Sequence, residues 1–333
     1  MPITNNASYV TTMNEFIAHW EECNAVLPPG TPLLARLPDN TTRSLDQFTT
    51  LRTTLMTRQN AVQAALTNQS IAWAGIGRRK NDLLASLNLF ISELDAYFQN
   101  TEIYPTRPYV PTFAAGQESF MQPLNLAICC WTEVNAGEAP QGVTLPLVLS
   151  DGTTLETFTT AVEELAAAYM NEQRKGYKVS LARAKRNATQ DVAYAVMKAY
   201  REAVPAKLKA FPEVIDTLPR LTPLPGHTPA PVQASAVFQA PNAAKVVYNA
   251  SSEPTLARYE LRGTAGEHYD EEDAVVIASD APNEAREFIT PFGLDQPGAE
   301  IALKVFVVLD TGNEAGSATM LVQRPASVEL LAA

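Results

Sequence analysis

LDQFTTLRTTL at residues 45–55 and LETFTTAVEEL at residues 155–165 share Leu, Phe, two Thr and a final Leu in the same places, 110 positions apart. An internal repeat alters the reading of everything around it, so its extent comes first. Upstream, at a spacing of 111, Tyr9, Met13, Ile17 and Trp20 match Phe120, Leu124, Ile128 and Trp131. WEECNA at 20–25 answers WTEVNA at 131–136, and DNTT at 39–42 answers DGTT at 151–154. Farther on, Asn81 matches Asn187 and Asp82 matches Asp191, the spacing drifting between 106 and 112 as loop insertions would make it. The matches keep one order, which points to a duplicated unit.

Each copy reads as three helices. Tyr9, Met13, Ile17 and Trp20 recur at helical spacing, as do their counterparts, and define the first. A Pro-containing loop follows, and the DNTT and DGTT tetrads supply turn residues and a capping Ser or Thr. Leu45, Phe48, Leu55, Val62, Leu66 and Trp73 keep one face of a long second helix apolar over 44–79, some 35 residues or roughly 50 Å. Phe158, Val162, Leu165 and Tyr169 begin the same stripe in the second copy, which ends near Arg186 and is about one turn shorter. Gly75, Gly77 and Gly176 are possible breaks. The third helix starts at Asp82 and Asp191 as N-caps. Pro-rich strips from Tyr104 and Leu218 close both copies as stiff connectors. The expected organisation is helical repeat 1 over 1–110 and repeat 2 over 111–218, packed together as an all-α elongated helical bundle, with a Pro-rich linker over 219–228.

Beyond the linker the period changes. VQASAVFQ, AKVVYNA, ARYELRG, REFITPF, EIALKVFVVLD and SATMLVQ are short, alternating and rich in β-branched residues, the pattern of an antiparallel β-sandwich over 229–325, with a tail over 326–333. In EIALKVFVV, Ile301, Leu303, Val305 and Val307 share the inward face. ARYELRG with Tyr259, and the positions of Leu294, Pro297, Gly298 and Gly316, resemble a fibronectin type III domain. Two hallmarks differ: the second-strand Trp is Tyr248, and the Tyr of the tyrosine corner is Ile301, so the corner hydrogen bond is expected to be absent. The resemblance implies a spacer or binding module and covers under a third of the chain.

The 333 residues carry 46% hydrophobic and 18% charged side chains and a formal charge of −11. Such a chain buries a sizeable core, and its field repels nucleic acid and anionic membranes. No basic-apolar leader and no long apolar run is visible, so the expected location is cytoplasmic, or external by a route other than Sec, without membrane insertion. Cys23, Cys129 and Cys130 form no disulfide framework, and Cys129 and Cys130 read as buried, inert thiols. His19, His227 and His268 have no zinc spacing, and His19 reads as a surface or boundary residue. Trp20 and Trp131 read as core anchors. No cofactor or metal ligand set is expected.

One group of residues stands out as a candidate interaction site. Arg174, Lys175, Lys178, Arg183, Lys185 and Arg186 surround Tyr177, and Arg78, Arg79 and Lys80 hold the corresponding place in the first copy. The plain explanation is that cations favour a helix C-terminus; the functional one is an acidic protein partner at the hairpin tips. GEHYDEED at 266–273 gathers Asp270, Glu271, Glu272 and Asp273, which on an extended segment converge poorly on Ca²⁺ and read as a solvated loop. With neither a catalytic nor a phosphate-binding motif in view, the expected function is non-enzymatic: a structural or assembly subunit of a self-associating lattice, filament or particle. An adhesion or adaptor protein that binds protein or glycan through the sandwich loops is the first alternative, and an enzyme with a scattered site the second.

Overall fold

The computed structural model describes residues 2–325, and the tail segment 326–333 lies outside the described residues. Five α-helices come first: α1 (Ser8–Val26), α2 (Leu45–Tyr97), α3 (Gln117–Ala136), α4 (Leu155–Lys207) and α5 (Pro212–Asp216). A two-stranded ribbon, β1 (Ala35–Arg36) and β2 (Thr42–Arg43), sits between α1 and α2. The helical part precedes an antiparallel β region, and among the described residues no helix is long and apolar enough to cross a membrane.

The expected second and third helices are one. α2 and α4 are each 53 residues long and run unbroken through Gly75, Gly77, Asp82, Gly176 and Asp191. A helical Gly costs only about 1 kcal/mol. Buried side chains in the adjacent turns, Ile76 and Leu83 in α2 and Val179 and Ala193 in α4, outweigh that. α4 is therefore not a turn shorter than α2, and at their constant offset of 110 positions Asn81 falls level with Asp191, four residues beyond Asn187. Leu87, Phe90, Leu94 and Phe98 are buried, and so are Met197, Tyr200, Val204 and Leu208, each 110 positions later.

The chain divides into two compact units, the sequence of one inserted within that of the other. Residues 71–175 form one, in which the second half of α2 joins α3 and the first half of α4. Its core centres on Trp131, stacked on Phe90 with centroids 4.6 Å apart and edged by Phe158 at 5.8 Å. The segments before and after form the other unit, where α1, the first half of α2 and the second half of α4 share a core. Trp20 lies 4.4 Å from Tyr200 and 5.9 Å from Phe48 there. Residue 110 falls within one of these units and residue 218 within the other, and the last turns of α2 pack with α3 while those of α4 pack with α1.

The repeated words have local causes. Trp20 Nε1 donates to the Leu33 carbonyl (3.1 Å) while Asn24 Oδ1 accepts from the Leu33 amide (2.8 Å). Trp131 and Asn135 grip Leu147 in the same way, at 3.3 and 2.8 Å. A Trp and an Asn four residues apart lie on one helix face, so the pair pins one residue of the returning loop. In the tetrads, Asp39 accepts from the Thr41 amide and Asp151 from the Thr153 amide, both at 2.9 Å. Asn40 (φ 66°) and Gly152 (φ 87°) occupy the left-handed position between them, which is where Asn and Gly are tolerated. Ser44 and Thr154 then cap α2 and α4 by reciprocal bonds with Gln47 and Thr157.

The β region has strands β3 (Ala234–Gln239), β4 (Ala243–Tyr248), β5 (Leu256–Ala265), β6 (Val275–Asp280), β7 (Glu287–Thr290), β8 (Glu300–Leu309), β9 (Glu314–Gly316) and β10 (Met320–Gln323). They form two antiparallel sheets, β3-β4-β7 and β10-β8-β5-β6, with β9 also paired to β8. Ile301, Leu303, Val305 and Val307 fill the space between the sheets as expected from their alternation, with Tyr259 beside them on β5 and Tyr248 and Phe288 on the opposite sheet. The other face of β8 is buried too: Ala302, Phe306 and Val308 are shielded, as are Glu260, Arg262 and Thr264 of β5. This second face lies under the N-terminal segment and the helices of the same unit. Pro2 abuts Gly312, Asn5 Nδ2 donates to Glu314 (3.0 Å), and Gln63 of α2 bonds the Ala265 amide (3.0 Å) and the Asp273 carbonyl. The Pro-rich linker is tied down as well, Leu221 to Ile3 and Leu224 to Thr311, both at 3.0 Å.

Candidate interaction site: the cationic stretch of α4

All nine candidate cations lie inside helices, not at ends, so the helix-terminus explanation fails: no free carbonyls exist there. Each has been placed by a specific neighbour or left to solvent. Lys80 is buried, donates to the carbonyls of Phe113 and Ala115 (2.5 and 2.9 Å) and lies 4.4 Å from the Phe120 ring centroid. Burial pushes its pKa down. It fastens the strip before α3 to α2. Arg79 approaches Glu164 at 3.8 Å, an exposed pair of little energetic weight. Arg78, Arg174, Lys178 and Lys185 are exposed and Lys175 is half-buried.

Arg183 and Arg186 behave differently. Arg186 Nη1 donates to Asp273 Oδ1 and Arg183 Nε to Asp273 Oδ2, both at 2.8 Å. The Asp273 side chain is fully buried and Arg186 is 2% exposed. The acidic stretch is consequently not a solvated loop throughout. It forms a closed turn in which the Asp270 carbonyl accepts from the Asp273 and Ala274 amides, and Asp270 Oδ1 accepts from the Glu272 amide. The turn sends Asp273 inward and leaves Glu271 and Glu272 exposed. The hydrogen bond to Asp273, followed by the surrounding carboxylates, raises the pKa of Arg183.

A second ionic cluster lies on the same covered face. Arg262, fully buried, bonds Glu260 through Nε (2.9 Å) and Glu314 through Nη1 (2.8 Å), and its guanidinium rests 4.1 Å from the Phe306 centroid. Burial opposes the Arg262 charge, but the bonds and charges of Glu314 and Glu260 outweigh it and raise the pKa. Arg258, Glu260 and Arg262 alternate along β5, a charge ladder visible in the sequence and ordinarily a sign of a wet face. Here Glu260 and Arg262 are buried instead.

Two other expectations change. His19 is buried, accepting from the Tyr200 hydroxyl at Nδ1 (2.6 Å) while Nε2 donates to the Val214 carbonyl (2.8 Å), and Tyr200 also meets Cys23 Sγ at 3.1 Å. It joins α1, α4 and α5. Cys130 is buried but Cys129 is exposed, since neighbours on a helix face different ways. Among the described residues, no group of three or more His, Cys, Asp or Glu is placed to hold a metal ion. A shallow groove lined by Arg43, Gln47, Leu51 and Val192 brings no ion pair together.

Burial, first among the causes, raises the pKa values of Tyr200, Tyr248 and Tyr269. The folded chain keeps these protons above pH ~10, where the unfolded chain releases them. The stability they confer is present below that pH and is lost above it. Lys80 acts oppositely, but only up to its unfolded value near 10.4. Denaturant midpoints are therefore expected to fall steeply above about pH 10.5, with tyrosinate absorbance from these rings appearing only on unfolding; ionisation of all tyrosines in the native state would contradict this.

No protein-family model matches the chain, and no curated protein matches it. Among solved structures, an Fn3-like protein from Clostridium thermocellum is 23% identical over 30% of this chain and 96% of its own, with a TM-score of 0.23. The structure titled "Myokine structure" is 15% identical over 30% of this chain and 99% of its own (TM-score 0.24). Pectate lyase PelI from Erwinia chrysanthemi, in complex with tetragalacturonic acid, is 19% identical over 28% of each chain (TM-score 0.23). Each likeness covers under a third of this chain and carries no argument about what the chain does.

Proposed function

We propose that this protein is a non-enzymatic assembly subunit, whose copies associate into an ordered lattice, filament or particle. One observation carries the reading: the β region is fixed to α4 by the ion pairs of Arg186 and Arg183 with the buried Asp273, not hung on a flexible linker. Ordered assembly requires that the surfaces used for successive contacts keep a constant relation within each subunit, because the symmetry operator is set by that relation. A loosely tethered module would not supply one. Residues 229–325 are, in this proposal, a fibronectin type III-like sandwich, supported by the strand orders β3-β4-β7 and β10-β8-β5-β6. The helical part is the product of a tandem duplication, supported by the paired grips of Trp20 and Asn24 on Leu33 and of Trp131 and Asn135 on Leu147. The expected result is a molar mass that rises with concentration in light scattering at neutral pH, with ordered assemblies in electron micrographs. A strict monomer at high concentration and low ionic strength overturns the proposal.

A further inference from the structure

A chain of charge −11 repels its own copies at long range, so attraction between copies needs a local patch of opposite sign. The cationic stretch of α4 divides into two faces. Arg183 and Arg186 turn inward and are engaged by Asp273. Tyr177, Lys178, Leu181 and Lys185, by contrast, fall together on the opposite side by the 3.6-residue period. Tyr177 is 71% exposed and Leu181 43%, and both lysines are exposed. Among the described residues, neither lysine ammonium has an ion-pair partner. Interfaces favour an exposed aromatic such as Tyr177 over ordinary surface, and the flanking lysines offer a charge for an acidic partner surface to complement.

The same unit presents a complementary feature. The turn at 270–273 offers the exposed Glu271 and Glu272. Its backbone is closed by the Asp270 carbonyl and carboxylate, and Asn6 Nδ2 bonds the Glu272 carbonyl at 2.8 Å. Asp273 anchors this turn on the Arg183 side of α4, away from the face bearing Tyr177, so the chain's own turn is not what that face receives. Both surfaces are held in place before any encounter, which spares the ordering entropy that loops would lose on binding.

We propose that the Tyr177–Lys178–Leu181–Lys185 face of one copy receives the Glu271–Glu272 turn of a second copy. This rests on the assembly reading above and names its contact. Sedimentation equilibrium at low and at physiological ionic strength tests it with three full-length proteins. Wild type is expected to associate, and to weaken as salt shortens the screening length to about 8 Å at 0.15 M. Lys178→Glu with Lys185→Glu, and separately Glu271→Lys with Glu272→Lys, are each expected to lower the association constant about tenfold or more. All four side chains are exposed, so circular dichroism is expected to show both variants folded. Mixing the two variants in equal amounts restores association, because one intact pairing of opposite charges returns. If wild type associates and either reversal leaves it unchanged, or the mixture stays dissociated, this contact is wrong and the assembly reading stands. If wild type is monomeric throughout, both fall. A monomer that binds poly-glutamate through Lys178 and Lys185 would assign the face to a different acidic protein and sink the second-copy proposal.

Discussion

Asp273→Asn is expected to cost about 3–5 kcal/mol, among the largest effects of any single substitution in this chain. The amide keeps the shape of the carboxylate but removes its charge and turns one of its two acceptor oxygens into a donor facing a guanidinium. Arg186, 2% exposed and with Nη2 already lacking a partner among the described residues, is then left as a buried cation without a counter-ion. Arg183 suffers less, since its side chain is 38% exposed and water replaces part of what it loses. The loss falls on the connection between α4 and the β region, because the Asp273 carbonyl, bonded to Gln63, follows the same turn. Denaturant unfolding is the measurement, with hydrogen exchange at β5 and β6 as its local companion. A midpoint unchanged from wild type would mean that the ion pair does not hold the turn. The double change Arg186→Met with Asp273→Leu is expected to recover much of the loss, because an apolar pair leaves no charge stranded.

Trp131→Ala and Trp20→Ala are each expected to cost about 3–5 kcal/mol through the cavity left in the core, but in different parts of the molecule. Trp131 fills the centre of the unit spanning 71–175, against Phe90 and Phe158, and its removal also frees the Leu147 carbonyl. Trp20 does the same against Tyr200, Phe48 and Leu33. Hydrogen exchange separates the two. In the Trp131 variant, amides of α3 should lose about a hundredfold or more in protection while those of α1 keep theirs; the Trp20 variant should reverse the pattern. Equal loss in both helices from either substitution would mean that the chain unfolds as one cooperative block.

Much of this architecture was legible beforehand. The periodicity of Tyr9–Trp20 and Phe120–Trp131 located α1 and α3, the DNTT and DGTT tetrads located the starts of α2 and α4, and alternation in 300–309 located β8 and its inward face. These are local signals: a period, a cap and a left-handed turn residue act within a few positions. The continuity of α2 and α4 was misread for an equally physical reason. Gly75, Gly77, Asp82 and Asp191 are weak helix formers in isolation, and only burial of the flanking turns overrides them.

The site was legible in part. The cationic run was conspicuous, yet nothing in it separates Arg183 and Arg186, which pair inward, from Lys178 and Lys185, which face water. Asp273 lies 87 positions from Arg186, and Glu314 lies 52 from Arg262. The charge ladder of β5 reads as a solvent face, yet Glu260 and Arg262 are buried.

By itself, then, the order of residues specified the helices, the strands, their caps and the recurrence of one motif, since each depends on neighbours within a turn or a pleat. Tertiary packing alone decided that each long helix shares its two halves between two cores, and that Lys80, Arg183 and Arg186, three of the nine candidate cations, serve as internal anchors. Those outcomes depend on which distant surfaces exclude water from one another, and desolvation of that kind has no local code.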